Sequence, residues 1–191
     1  SPPNEVRTVA ALAPATSPLA EASVTLPVLL LAEADTPAAT TAALAAGAQG
    51  IGLVRSEMLY ATRTEAPDAA EQHRDYAAIL AAAQGLPVTF RLFDLAEDKR
   101  PPFVGAALSA AGEDLRGAGA LIALPALLEP QLLALARLAA EAPLRVLVPF
   151  VRTPSEFAAI RSRWLSALPG GCSAACGPML ETPAAVLEIE A

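Results

Sequence analysis

Gly47-Ala48-Gln49-Gly50-Ile51-Gly52-Leu53-Val54-Arg55-Ser56-Glu57 is an apolar run, rich in glycine and branched residues, that ends in a cation and a carboxylate. A run of this kind reads as a buried strand, and its polar end must emerge where solvent or an anion can meet it. The pattern recurs: residues 88–93 carry Arg91 and run into Asp94, and Gly177-Pro178-Met179-Leu180 runs straight into Glu181. Charged groups delivered from several apolar strands to one rim are how a parallel α/β barrel builds a site. Arg55 is therefore the first candidate for chemistry, with Arg91 beside it.

Working outward, the chain alternates. Residues 27–32 read as a strand. Asp35-Thr36-Pro37 opens a helix with an N-cap and an early proline, and Gly47 ends it. Residues 49–54 are the next strand. A helix over 69–83 is stopped by Gly85 and Pro87, and the strand 88–93 follows. A long loop over 94–112 contains Lys99-Arg100-Pro101-Pro102. Helices are expected over 114–124 and 125–142, a fourth strand over 144–150, a helix over 154–168 and a fifth strand centred on 178–180. Thr182-Pro183-Ala184-Ala185 then opens another helix. This βαβα alternation implies a parallel sheet. The expected fold class is α/β, a partial parallel (β/α)8 TIM-type barrel holding about the first five βα units. Residues 1–25, rich in Pro, Ala, Ser and Thr, read as a linker or truncated upstream element, and 26–191 as the N-terminal part of the barrel domain.

Composition narrows the classes. With 54% hydrophobic but only 4% aromatic residues in 191, the interior is filled by Ala, Leu and Val, which suits helices packed on a sheet. The mean hydropathy of +0.44 invites a membrane reading. The longest apolar stretch, 121–140, is however broken by Pro125, Glu129, Pro130, Gln131 and Arg137, and a spanning helix needs about 20 mostly apolar residues. No secretory signal is visible at the start, so a cytoplasmic location is expected. A net charge of −7 offers no basic stripe for a phosphate backbone. Neither nucleic acid nor membrane insertion is expected. Cys172 and Cys176 lack a second cysteine pair or a nearby histidine, so a closed zinc site is not expected and the thiols read as structural.

Three stretches carry a resemblance: Gly50-Ile51-Gly52-Leu53-Val54-Arg55-Ser56-Glu57-Met58-Leu59, Arg91-Leu92-Phe93-Asp94-Leu95-Ala96-Glu97-Asp98-Lys99, and Met179-Leu180-Glu181-Thr182-Pro183-Ala184-Ala185. In order and spacing the chain resembles the phosphoenolpyruvate (PEP)-binding barrel of enzyme I of the bacterial sugar phosphotransferase system, and also pyruvate phosphate dikinase and PEP synthase. The resemblance implies that Arg55, Arg91 and Arg116 bind the substrate and that Glu181 is a ligand of Mg2+. It implies transfer of the phosphoryl group of PEP to a histidine of another domain or a carrier protein, with release of pyruvate. PEP carries a carboxylate and a phosphate, and planar, permanently charged guanidiniums bind such oxygens bidentately. Departures are visible as well. Ala96-Glu97 stands where the family usually has a glycine pair, Ala110-Ala111 replaces an expected Asn-Pro, and Asp114 and Gly119 replace an expected Gly and Arg.

The family's second metal carboxylate, enolate acid and phosphohistidine have no counterpart in these 191 residues. Activity is therefore not expected of the chain alone, and with one protein ligand its hold on Mg2+ is expected to be weak or absent. Two other readings stand beside this one: a non-catalytic module that binds an anion or a partner, and a carbon–carbon lyase of the citrate lyase β-subunit type. Blander roles are available residue by residue. Arg55 and Glu57 could form a rim ion pair, Asp94, Asp98 and Lys99 a solvated cluster, and Glu181 a carboxylate favoured by a helix N-terminus. His73, in Glu71-Gln72-His73-Arg74-Asp75, reads as a solvated surface residue. Cys172 and Cys176 are expected to precede the fifth strand, away from the active rim. An incomplete sheet leaves its edges uncovered, so the chain is expected to form a homo-oligomer through them or to be poorly stable.

Overall fold

The computed structural model describes residues 29–96, 100–105 and 116–188. Five strands form one sheet in the order β1-β2-β3-β4-β5: Ala32–Glu33, Ile51–Arg55, Val88–Arg91, Leu144–Val148 and Ala175–Pro178. Every neighbouring pair is parallel. Between them run α1 (Pro37–Ala45), α2 (Ala69–Ala82), α3 (Gly117–Ala123), α4 (Pro125–Ala139) and α5 (Pro154–Ala167), and α6 (Pro183–Leu187) follows β5. A doubly wound sheet reverses its strand order at a switch point. Strictly sequential order without reversal, in an all-parallel sheet, is what successive βα units of a barrel produce, so the arrangement is consistent with a partial barrel.

Local chemistry explains the element starts. Thr36 and Thr153 accept hydrogen bonds from the N–H groups of Ala39 and Glu156, each with proline at the first helical position. Asp68 and Glu71 form a reciprocal capping box at α2. Thr182 accepts from Ala185 N–H and donates to Val151 C=O at 3.0 Å, which ties α6 back to the chain beyond β4.

The helices cover one face of the sheet. Leu144, Val146 and Val148 are buried in β4, whereas Arg145 is exposed and Leu147 half-buried. Phe90 of β3 packs on Tyr76 of α2 with ring centroids 5.1 Å apart, and Trp164 of α5 is fully buried with its indole N–H on Ala174 C=O. Alternation in β3 turns Thr89 and Arg91 to the side opposite Phe90, where Arg91 is in register with Leu147. Gly52 permits close packing of the first two strands: a Cβ there would stand 2.8 Å from Leu31 Cβ.

Several expected boundaries shift. The first strand is Ala32–Glu33, later than 27–32, of which 27 and 28 lie outside the described residues, as does the expected linker 1–25. The third stops at Arg91, because Phe93 N–H turns to a side chain. The fifth is Ala175–Pro178 and ends where 178–180 was expected to begin, since Met179 N–H makes the last backbone bond, to Val148 C=O. Cys176 is therefore inside β5 rather than before it, and burial pushes its thiol up to about 11. Cys172 lies ahead of the strand with its thiol on Ala139 C=O. His73 is not fully solvated: α2 packs beside α4, and the ring stands 3.7 Å from Glu141 in a cleft of about 520 Å³ shared with Arg74 and Arg137. Among the described residues no single helix is long and apolar enough to cross a membrane; α3 and α4 would reach that length only together, and they are bent by 103°.

Candidate functional site

The C-terminal ends of the strands form the rim. Arg55 ends β2 and Arg91 ends β3, and the two are partners in the parallel register. Asp94 follows β3 and is buried. It accepts from Arg116 Nε and Nη2, both at 3.3 Å, and stands 3.6 Å from Arg91 Nη1. Arg116 precedes α3 and lays its guanidinium 4.3 Å from the centre of the Phe150 ring, a cation–π contact. Phe150 N–H in turn donates to Glu181 Oε2 at 3.1 Å. Arg91, Asp94, Arg116, Phe150 and Glu181 thus form one continuous chain of contacts across β3, β4 and β5.

Arg55 belongs to a neighbouring cluster. Its backbone N–H donates to Asp35 Oδ1 at 2.7 Å, and its Nε and Nη2 reach Asp35 Oδ2 at 3.0 and 2.6 Å. Glu33 lies 3.0 Å from the same Nη2. The hydrogen bond to Asp35, reinforced by both carboxylates, raises the guanidinium's pKa. The blander alternative, an Arg55–Glu57 rim pair, does not form. Glu57 turns inward, fully buried, and bonds Arg91 instead, since the single-turn 3-10 helix Ser56–Tyr60 points the next side chain into the core. Desolvation outweighs the Arg91 charge and raises the Glu57 pKa. Glu57 Oε2 and Arg91 Nε are buried without hydrogen-bond partners.

The three arginines therefore differ. Side-chain exposure is 31% for Arg55 and 41% for Arg116 but 5% for Arg91. Arg55 and Arg116 present charge to solvent, and Arg91 sits behind them. Asp94 is no solvated cluster member: it is the buried carboxylate that links two of the arginines, while Asp98 and Lys99 lie outside the described residues. Asp35 and Asp94 were missed as site residues, and so was Gln131 of α4. Gln131 is a buried amide immediately ahead of the apolar stretch Leu132-Leu133-Ala134-Leu135, and a polar side chain on the buried face that also carries Leu127, Leu128 and Leu135 is a signal that could have found it.

A magnesium site needs several oxygen ligands. Glu181 has one oxygen already engaged by Phe150 N–H, Asp94 is enclosed by two arginines, and no group of three or more His, Cys, Asp or Glu among the described residues could hold a metal ion. These residues do not make a metal site by themselves.

The family described as PEP-utilising enzyme, PEP-binding domain, matches residues 15–191. The chain belongs to that family. Curated relatives of this PEP-binding domain include a multiphosphoryl transfer protein of Xanthomonas campestris, 32% identical over 172 residues that cover 83% of the chain and 20% of the relative. A phosphoenolpyruvate-protein phosphotransferase of Cupriavidus necator is 39% identical over 131 residues, 66% of the chain and 22% of the relative. One of Staphylococcus epidermidis is 34% identical over 139 residues, 71% and 24%. The domain thus spans less than a quarter of the length of these relatives.

Proposed function

We propose that this chain supplies the PEP-binding part of a cytoplasmic phosphoenolpyruvate-protein phosphotransferase of a sugar phosphotransferase system, in a TIM-type barrel. The observation that carries the reading is the rim itself, where Arg55 and Arg91 end neighbouring strands and Arg116, just ahead of α3, shares Asp94 with Arg91 and is joined through Phe150 to Glu181. In the reaction, the bond between the phosphorus of PEP and its enol oxygen breaks and the phosphoryl group passes to a histidine nitrogen of another domain or carrier. The enolate left behind takes a proton and leaves as pyruvate.

The chain's own residues bind and orient. Charge-assisted hydrogen bonds are usually about 2.7–2.9 Å. Arg55 to Asp35 at 2.6 Å is fully made, but Arg116 to Asp94 at 3.3 Å and Arg91 to Asp94 at 3.6 Å are long. The Asp94 contacts are therefore the ones a phosphate or carboxylate displaces, taking Arg116 first and Arg91 behind it. Arg55 is held in place by Asp35 while its exposed edge meets the other end of the ligand.

Across the rim Arg55, Arg91 and Arg116 meet Glu33, Asp35, Asp94 and Glu181, one carboxylate more than there are guanidiniums, while Glu57 lies buried beside Arg91. An anion as highly charged as PEP binds such a site best together with a divalent cation, and Glu181 is the carboxylate we assign to face Mg2+. Titration calorimetry of the 191-residue chain tests the reading. PEP is expected to bind more tightly with Mg2+ than without, and Arg116→Met to weaken it by about 10- to 100-fold, the loss of one charged hydrogen-bonding group. Heat of binding that is absent, or identical in Arg116→Met, overturns it.

A further inference from the structure

We propose that Gln131 is the positioning residue of the rim, the group that holds the end of β3 so that Arg91 and Asp94 project into the site; this rests on the PEP-binding reading for its purpose and on geometry alone for its placement. Gln131 lies on α4, fully buried. Its Oε1 accepts from Phe93 N–H at 3.0 Å, and its Nε2 donates to Ser56 Oγ at 2.8 Å and to Tyr76 OH at 3.0 Å. Both amide protons and the carbonyl are thus in use. Ser56 Oγ then donates to Arg91 C=O at 2.6 Å.

The two backbone groups so held bracket Leu92. Leu92 N–H still reaches Leu147 C=O across the sheet at 2.9 Å. Beyond it the strand ends, and the backbone would be free to turn. Gln131 takes Phe93 N–H directly and Arg91 C=O through Ser56, so the peptides on both sides of Leu92 are fixed in orientation. Arg91 and Asp94 are the residues just outside that clamp, and they are the two that meet across 3.6 Å. The helix-side anchor is itself secured, because Tyr76 OH donates to Gln72 Oε1 at 2.9 Å and Gln72 Nε2 to Pro67 C=O at 3.1 Å. Every proton in this chain has one direction, so the amide of Gln131 cannot flip without breaking both strand contacts. A residue serving packing alone would not need donors and an acceptor aimed at two different strand ends.

Two variants separate positioning from stability. Gln131→Met keeps the volume and removes all three hydrogen bonds. Tyr76→Phe removes two bonds of the same network, leaves an amide proton of Gln131 and the Gln72 carbonyl unpaired, and leaves the bonds from Gln131 to Phe93 N–H and Ser56 Oγ in place. Hydrogen exchange of the Phe93 amide, Arg91 Nε–H and Arg116 Nε–H is followed by NMR in the 191-residue chain, below the melting temperature of each variant, alongside PEP titration. In Gln131→Met we expect Phe93 amide exchange at least 10-fold faster, exchange of both arginine Nε–H groups several-fold faster, and PEP affinity about 10-fold weaker. Tyr76→Phe should lower the melting temperature and leave all of these within about 2-fold of wild type. Equal exchange at Phe93 and the arginines in the two variants overturns the proposal. If the wild-type chain takes up no PEP, the PEP-binding reading falls, and the exchange rates still decide whether Gln131 holds Arg91 and Asp94.

Discussion

The Glu57–Arg91 pair is the most consequential single contact to perturb. Both side chains are buried, at 0% and 5% exposure, and each keeps one polar atom without a partner. Glu57→Leu retains the volume of the side chain and removes the carboxylate. It leaves a guanidinium enclosed in the protein with its buried hydrogen-bonding partner gone, a change that typically costs about 3–5 kcal/mol. Asp94 remains 3.6 Å from Arg91 Nη1, and at an effective dielectric of about 20 that separation corresponds to a gross attraction on the order of 4–5 kcal/mol. Asp94 is shared with Arg116, and its attraction is already present in the wild type, so it limits the loss rather than cancelling it. The expectation is the lower end, about 3 kcal/mol, or a fall in melting temperature of roughly 6–12 °C for a chain of this size. Urea denaturation read by circular dichroism measures it. The double variant Glu57→Leu with Arg91→Met should recover most of the loss, since an apolar pair replaces two desolvated charges. A single variant within about 1 kcal/mol of wild type would refute the reasoning, because it would mean that Arg91 has water or another carboxylate at hand.

The same glutamate sets a pH dependence. Its folded pKa is raised, so between the ordinary glutamate value and the raised one the folded chain holds a proton that the unfolded chain releases. The stability advantage of wild type over Glu57→Leu should therefore be complete below the ordinary value and shrink as pH rises through that window, and denaturation at several pH values reads the slope. Gly117 supplies the other prediction. With φ +53 and a Cβ position 2.3 Å from Phe150 Cβ, Gly117→Ala should lose roughly 2–4 kcal/mol through left-handed strain and overlap. At Gly119 a Cβ would stand 2.5 Å from Arg152 Nη2 and 3.4 Å from Glu156 Oε1, so Gly119→Ala must displace the exposed Arg152–Glu156 pair. The loss of such a pair, about 0–1 kcal/mol, is offset by alanine's better helix propensity, about 1 kcal/mol, and the variant should lie within about 1 kcal/mol of wild type in the same urea titration.

What was legible in the sequence was local. Apolar runs bounded by Thr36-Pro37, Asp68 and Thr153-Pro154 announced strands and capped helices, because caps and periodicity are set by residues within a turn of one another. The same logic placed Arg55, Arg91 and Glu181 at or just beyond strand ends. The sequence did not disclose what those charges do at rest. Asp35 is 20 residues from Arg55, Asp94 is 22 from Arg116, and Gln131 is 75 from Ser56. Only the stacking of βα units brings them together. A rim read residue by residue looks like an open trap for anions, yet in the folded chain Arg55 and Arg91 are held by named carboxylates and Arg116 shares Asp94. On the PEP-binding role proposed for these arginines, binding is an exchange of partners rather than the capture of an anion by free charge. The long Asp94 contacts and the short Asp35 contact make the proposed exchange unequal: Asp94 would yield, Asp35 would hold, and PEP would be oriented by which arginine it can take.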